Sequence, residues 1–237
     1  MGIVGARPSN RSTRLKAILI AAFLAVGLPA SAADPSRLQY YELGMDKGLA
    51  NNSVYCAIQD HRGLMWFGTF GGLSRYDGES FVTYRPGQDA GRVGSLAASV
   101  VFALLEDARG NLWVGTDGGG LARYDPRSDS FRVFRAKPGI DGALSSDRVL
   151  ALGEDGEGRI WVGLGDGAIG TFDPDTLRFD GEVPAGTGGA PVRCILGDAR
   201  GVIWAGTEGG GLLRFDPSAR RFESFRAEAA PWLEDHA

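Results

Sequence analysis

The sequence predicts an all-β chain folded as a β-propeller of four-stranded antiparallel blades, and three observations predict it. One phrase recurs four times: GLMWFGTFGGLSRYDG at 63–78, GNLWVGTDGGGLARYDP at 110–126, GRIWVGLGDGAIGTFDP at 158–174 and GVIWAGTEGGGLLRFDP at 201–217. Its tryptophans, Trp66, Trp113, Trp161 and Trp204, are spaced by 47, 48 and 43 residues, the period of a propeller blade. Within each period, short apolar runs alternate with turn signals in a pattern of four strands.

The elements follow in order. The first strand of each repeat is SVYCAIQ, SVVFALLE, RVLALGE or PVRCILG. One face carries Val-Cys-Ile, Val-Ala-Leu, Val-Ala-Gly or Val-Cys-Leu. The other carries Tyr55, Phe102, Leu150 or Arg193, then Ala57, Leu104, Leu152 or Ile195. Both faces are mainly apolar, so both are expected to be buried. The next turn reads DHRG, DARG, DGEG or DARG, and its aspartate (Asp60, Asp107, Asp155, Asp198) always precedes the tryptophan by six residues. Aspartate hydrogen-bonds its own backbone and glycine supplies positive φ, which makes a tight hairpin of fixed length. Turn chemistry accounts for these carboxylates, so no metal site is expected. The second strand is LMWFGT or its equivalent, and the third is GLSRYD or its equivalent. The fourth carries spaced aromatics: Phe81 and Tyr84, Phe131 and Phe134, Phe222 and Phe225, with Phe179 alone in the third repeat. The blades span approximately 48–84, 95–135, 143–183 and 190–226.

The glycine clusters invite a phosphate-loop reading, but a P-loop ends in Gly-Lys-Ser/Thr and opens a helix. No copy has either feature. The glycines instead turn the chain between the second and third strands. The periodic tryptophans are read as structural wedges filling the space between packed blades. Cys56 and Cys194 hold the position that Ala103 and Ala151 hold in the middle blades, so they are expected as small buried residues with free thiols. Arg75, Arg123 and Arg214 recur in the third strand and are read as partners of nearby carboxylates.

The chain of 237 residues begins with Arg7, Arg11, Arg14 and Lys16, then the apolar run Ala17–Leu28, Pro29 and the small residues ASAA. That order is expected of a signal peptide over 1–33, and the run is too short to span a bilayer. Removing those four cations, with no acids, takes the net charge from −4 to −8. An acidic exported chain argues against nucleic-acid partners. LQYYELG at 38–44 reads as one further strand, of the fourth-strand type. The partial propeller then covers 38–237, with seventeen strands for sixteen places, and 227–237 as the start of a further repeat. Such a chain leaves an open edge and an exposed blade face.

The stretch GLANNSVYCAIQDHRGLMWFGTFGGLSRYDGESFVTY, residues 48–84, closely resembles the two-component regulator propeller repeat, and the other copies match its D-x-x-G-x-ϕ-W-ϕ-G-T core. The third copy departs at Leu164 and Thr171. The resemblance implies part of a larger propeller of about seven blades, in the periplasm. It also implies an inner-membrane anchor and an output module beyond this chain, a histidine kinase or a diguanylate cyclase. The expected function is ligand sensing without catalysis. The expected partners are a small molecule or oligosaccharide, the remaining blades, the output domain and a second protomer in a homodimer; no cofactor is expected. The rival readings are a secreted scaffold and a lyase-type carbohydrate-active enzyme, against which no carboxylate pair or histidine cluster stands outside the repeats. Candidate ligand contacts are the non-repeating polar residues of the second-to-third-strand turns, Asp117, Asp166 and Glu208, with Asn51, Asn52 and Arg148 near strand starts.

Overall fold

Each repeat folds as an antiparallel meander, because each of its first three strands is followed by a turn too short to reach another sheet. The computed structural model describes residues 42–87, 95–137, 139–183, 185–198 and 200–226. After a 3-10 turn at Met45–Lys47, the first blade holds β1 (Val54–Gln59), β2 (Met65–Thr69), β3 (Gly72–Tyr76) and β4 (Phe81–Tyr84). The second holds β5 (Val101–Glu106), β6 (Leu112–Thr116), β7 (Gly120–Asp125) and β8 (Ser130–Phe134). The third holds β9 (Val149–Glu154), β10 (Ile160–Leu164), β11 (Ile169–Asp173) and β12 (Arg178–Val183). The fourth holds β13 (Val192–Gly197), β14 (Ile203–Thr207), β15 (Gly211–Asp216) and β16 (Arg221–Phe225). Strand order within every sheet is sequential, and among the described residues no strand is exchanged between sheets. The first strands β1, β5, β9 and β13 contact one another in succession and form the inner side of the blade array. This is the expected propeller architecture.

Three apolar clusters fill the three seams between consecutive blades. Trp66, Trp113 and Trp161 are fully buried there. Each meets the third-strand aromatic of the following blade edge-on: Trp66 on Tyr124 at 4.9 Å, Trp113 on Phe172 at 5.4 Å and Trp161 on Phe215 at 4.7 Å. Edge-to-face geometry places a positive ring edge on a negative ring face.

The glycine two residues after each tryptophan has a specific cause. A Cβ on Gly68 would lie 2.7 Å from Val101 Cγ1, one on Gly115 2.8 Å from Val149 Cγ1, and one on Gly163 2.6 Å from Val192 Cγ1. The glycine is the seat for the first-strand valine of the next blade. Those three valines are completely buried. At the start of β7, Gly120 has φ +80° and a Cβ there would collide with Phe134 O, so both conformation and space require glycine.

Burial of both faces of the first strand is nearly complete in β9 alone; β5, also flanked by a blade on each side, is buried only at Val101 and Ala103 and half-buried elsewhere. β9 is buried along five of its six residues, whereas Val54 and Tyr55 of β1 are 42 % and 47 % exposed. Cys56 is half-buried inside the first seam, but Cys194 is exposed, because no described blade covers the outer face of the fourth sheet. Both thiols are free. For Cys56, burial outweighs a hydrogen bond from the Gly68 backbone and pushes the thiol up to about 12. Arg75 reaches Asp129 and Arg214 reaches Glu223 as expected, while Arg123 lies over the Trp113 ring at 5.8 Å. The expected strand 38–44 and leader 1–33 fall outside the described residues up to Tyr41, and Glu42–Gly44 are in no strand. Residues 227–237 also lie outside the described residues.

Candidate functional site at the inner-strand mouth

The site is built upward from the blade hairpins. In each first turn the aspartate does two jobs. Its Oδ1 accepts backbone N–H groups within the turn, from Arg62 and Leu64 at Asp60 and from Arg109 and Asn111 at Asp107. Its Oδ2 accepts the indole N–H of the tryptophan six residues on, at 2.9, 2.8, 2.9 and 3.2 Å in the four blades. The carboxylate thus ties the hairpin to the wedge in the seam. At Asp60 burial opposes ionisation, but hydrogen bonds from Trp66, Arg62 and Leu64 hold the carboxyl below its usual range. Asp155 shows the same balance, with Trp161 and Arg159 as donors.

At the opposite end of each first strand, the pairing with the second strand skips a residue. The register shifts between Val54 and Cys56, between Val101 and Ala103, between Val149 and Ala151, and between Val192 and Cys194. The extra residues are Tyr55, Phe102, Leu150 and Arg193, the four that simple alternation assigns to a buried face. A bulge re-aims its side chain, and here three of the four are drawn together. The rings of Tyr55 and Phe102 lie 4.6 Å apart, and the Arg193 guanidinium lies 5.9 Å from the Phe102 centroid. Leu150 remains buried.

The second-to-third-strand turns open at this same end, since Asp117 N donates to Val100 O and Glu208 N to Pro191 O. Glu208 accepts from Arg193 Nε at 2.8 Å. Arg148 Nε donates to Asp117 Oδ1 at 2.7 Å, joining the second blade to the third. Beside them Asp147 accepts from Arg135 Nη2 at 2.6 Å and from the Ala136 backbone at 2.6 Å. The mouth therefore carries an aromatic pair and a row of guanidinium–carboxylate pairs, all at least partly open to solvent.

The structure brings Asp117 and Arg148 into one ion pair, and Glu208 into another with Arg193. Asn51 is not part of this row; its Oδ1 accepts the Ser53 N–H in a local turn. Asn52 Oδ1 accepts the Met45 N–H, and Asp166 Oδ1 accepts the Ala168 N–H. Tyr55, Phe102 and Arg193 escape sequence reasoning as surface residues because alternation hides the bulge. The only signal in the chain is that the residue after the first valine changes type freely from blade to blade.

A second polar cluster crosses the first seam: Tyr84 OH and Tyr124 OH both donate to Asp129 Oδ1, at 2.6 and 2.7 Å, and Arg75 Nη1 donates to Tyr124 OH at 2.7 Å. Burial and the bond to Asp129 push both phenols up. It is a closed latch between blades. Among the described residues, no buried side-chain polar atom lacks a partner, no group of side chains could hold a metal ion, and no helix is long and apolar enough to cross a membrane.

Comparison with known proteins identifies the repeat. The profile of the two component regulator propeller matches residues 48–71, 95–118, 143–166 and 186–209. A search of curated proteins returns no match. Among solved structures, the extracellular domain of a protein described as a hybrid two component system of B. thetaiotaomicron superposes with a TM-score of 0.71 at 25 % identity, over 78 % of this chain and 26 % of that one. A second extracellular domain so described, from the same organism, gives 0.67 at 23 % identity over 80 % of this chain and 28 % of its own. This chain thus spans about a quarter of the length of those neighbours. Virginiamycin B lyase from Staphylococcus aureus, at 16 % identity, 78 % and 58 % coverage and a TM-score of 0.57, shares the fold alone.

Proposed function

From a chain built of two-component regulator propeller repeats, we propose an exported ligand-sensing module of a signal-transduction receptor, itself without catalysis. It lies in the periplasm after removal of the 1–33 leader. Further blades, an inner-membrane anchor and a kinase or cyclase output complete the receptor. The ligand is a small molecule or oligosaccharide held at the inner-strand mouth.

The observation that carries this reading is the bulge repeated in all four blades, which turns Tyr55, Phe102 and Arg193 toward one another beside the Asp117–Arg148 and Arg193–Glu208 pairs. An aromatic face suits the apolar face of a sugar ring, and the guanidinium and carboxylate groups suit its hydroxyls. Because these residues are at least partly open to solvent and lie at one end of the strands, they can change without disturbing the seams. Ligand capture would then act by favouring one packing of the module against its partners over another.

The test is a thermal-shift titration of the purified chain against a panel of oligosaccharides and their breakdown products. A ligand that raises Tm in the parent, but not in Tyr55→Ala or Arg193→Ala variants of unchanged Tm, supports the mouth as the site. Turnover of such an oligosaccharide by the purified chain would replace the sensor with an enzyme.

A further inference from the structure

The second blade breaks a pairing that the first and fourth keep. Three of the four third strands carry an arginine at the same place, and two of those arginines meet a carboxylate. Arg214 faces Glu223 directly across β15 and β16, and its Nη2 donates to Glu223 Oε2 at 2.6 Å. Arg75 crosses the first seam, donating from Nη1 to Tyr124 OH at 2.7 Å and to Asp129 Oδ1 at 3.1 Å. Arg123 has neither kind of partner. Across β7 and β8 it faces Arg132, and Phe172 and Leu177 hold in the third blade the places that Tyr124 and Asp129 hold in the second. Among the described residues, no carboxylate pairs with Arg123 or Arg132. Like charges set directly opposite each other destabilise a sheet. Blades are described on both sides of this one, so the pair is not the product of an uncovered face.

The two guanidiniums are held in place. Arg123 Cζ lies 5.8 Å from the centre of the Trp113 ring and Arg132 Cζ 5.5 Å from that of Phe134, and the two rings are 6.2 Å apart. An aromatic face orders a guanidinium while leaving its N–H edge free to donate. Residues directly opposite in a sheet have Cβ atoms about 5 Å apart, so both forks reach one small ligand. Trp113 is completely buried and Arg132 is exposed, which gives the pair a fixed floor and an open front. The groove beside them is lined also by Asn111, Arg127 and Ser130. Asp125 borders the same groove, but its carboxylate is turned into its own hairpin, where it accepts the Arg127 N–H and the Ser128 hydroxyl.

We infer that Arg123 and Arg132 form a binding site for a sulfate or phosphate group. A tetrahedral dianion offers oxygens to both forks and balances both charges, whereas a carboxylate balances only one. The site lies on the outer strands of the second blade, away from the first-strand bulges of the mouth, and the inference is independent of the ligand reading.

The test is a thermal-shift titration of the full chain with sodium sulfate, sodium phosphate and sodium acetate, each against sodium chloride at matched ionic strength. Sulfate also stabilises proteins in general by exclusion from their surface, so the readout is the saturable part of the shift that depends on the arginines. Sulfate or phosphate is expected to give such a shift, and Arg123→Gln and Arg132→Gln each to weaken the apparent affinity about tenfold or more. Arg214→Gln, in a blade whose arginine is already paired, is expected to keep the parent response. Arg132→Glu copies the fourth-blade pair; it is expected to raise Tm at low salt and to abolish the response. Glucose 6-phosphate separates the sources: tighter binding than inorganic phosphate places the group on a larger molecule, and equal binding identifies the bare ion. A response that survives either glutamine substitution, an equal response to acetate, or no response beyond that of sodium chloride overturns the inference.

Discussion

Asp107 serves four donors from one carboxylate: the backbone N–H groups of Arg109 and Asn111, the Asn111 amide and the Trp113 indole. Asp107→Ala leaves the buried indole N–H without a partner and opens the turn, with an expected loss of about 3 kcal/mol in a denaturant titration. Asp107→Asn keeps the shape and is expected to lose less. The lowered carboxyls of Asp60 and Asp155 give a pH dependence of definite sign. A group with a folded-state pKa below its unfolded value contributes its stability in full above the unfolded value, near 4, and loses it as pH falls through the folded value. Thermal unfolding followed from pH 6 to pH 2 should show Tm falling mainly below about 4, with a shallower fall in an Asp60→Asn, Asp155→Asn double variant. The six-residue interval was legible in the sequence as a turn of fixed length. The indole bond that also fixes it was not, because it depends on Oδ2 pointing out of the turn and into the seam.

A blade is stabilised as much by its successor as by its own ladder. Trp113, enclosed between the second and third blades, should cost about 3–5 kcal/mol on truncation to alanine. Trp204, half-buried, should cost about 1–2 kcal/mol. Parallel urea titrations of the two variants decide the comparison, and equal losses would mean that enclosure by the next blade contributes little. Gly115→Ala should also destabilise, because its methyl group meets Val149 Cγ1 and the Val149 carbonyl at 2.8 and 3.0 Å; overpacking of this kind costs about 1–3 kcal/mol. At this scale the four strands per repeat, the turns between them and the wedge role of the tryptophan could be read from spacing. The bulge could not. Alternation assumes an unbroken register, and one skipped residue is enough to move Tyr55, Phe102 and Arg193 from an assigned interior to a surface mouth.

Across the whole molecule, the seams are alike in their apolar wedges and different in their polar fastenings. Glu106 accepts the His61 N–H at 2.9 Å and Glu154 accepts the Ala108 N–H at 2.9 Å, each from the hairpin turn of the preceding blade. In the fourth blade Gly197 takes that position, and a Cβ there would lie 2.7 Å from Glu154 O. The third seam is therefore held by close backbone approach. Glu154→Gln should weaken the second seam while leaving the third intact, a difference that amide exchange read blade by blade would reveal. The number of blades was legible because the repeat is strict. Of the six polar residues singled out in the sequence, Asp117, Arg148 and Glu208 lie together at the mouth, while Asn51, Asn52 and Asp166 accept hydrogen bonds from the nearby backbone of Ser53, Met45 and Ala168. Nothing in residue type distinguishes a polar side chain that caps a loop from one that faces an open mouth.

The unshared meander of every sheet has a consequence for the covalent chain. A protease that cuts the links near residues 139–142 or 186–189 would sever no ladder, only the tether between neighbours. The nicked pieces should co-elute at the size of the uncut chain and part only in denaturant, behaving as separate bodies glued by indole and valine.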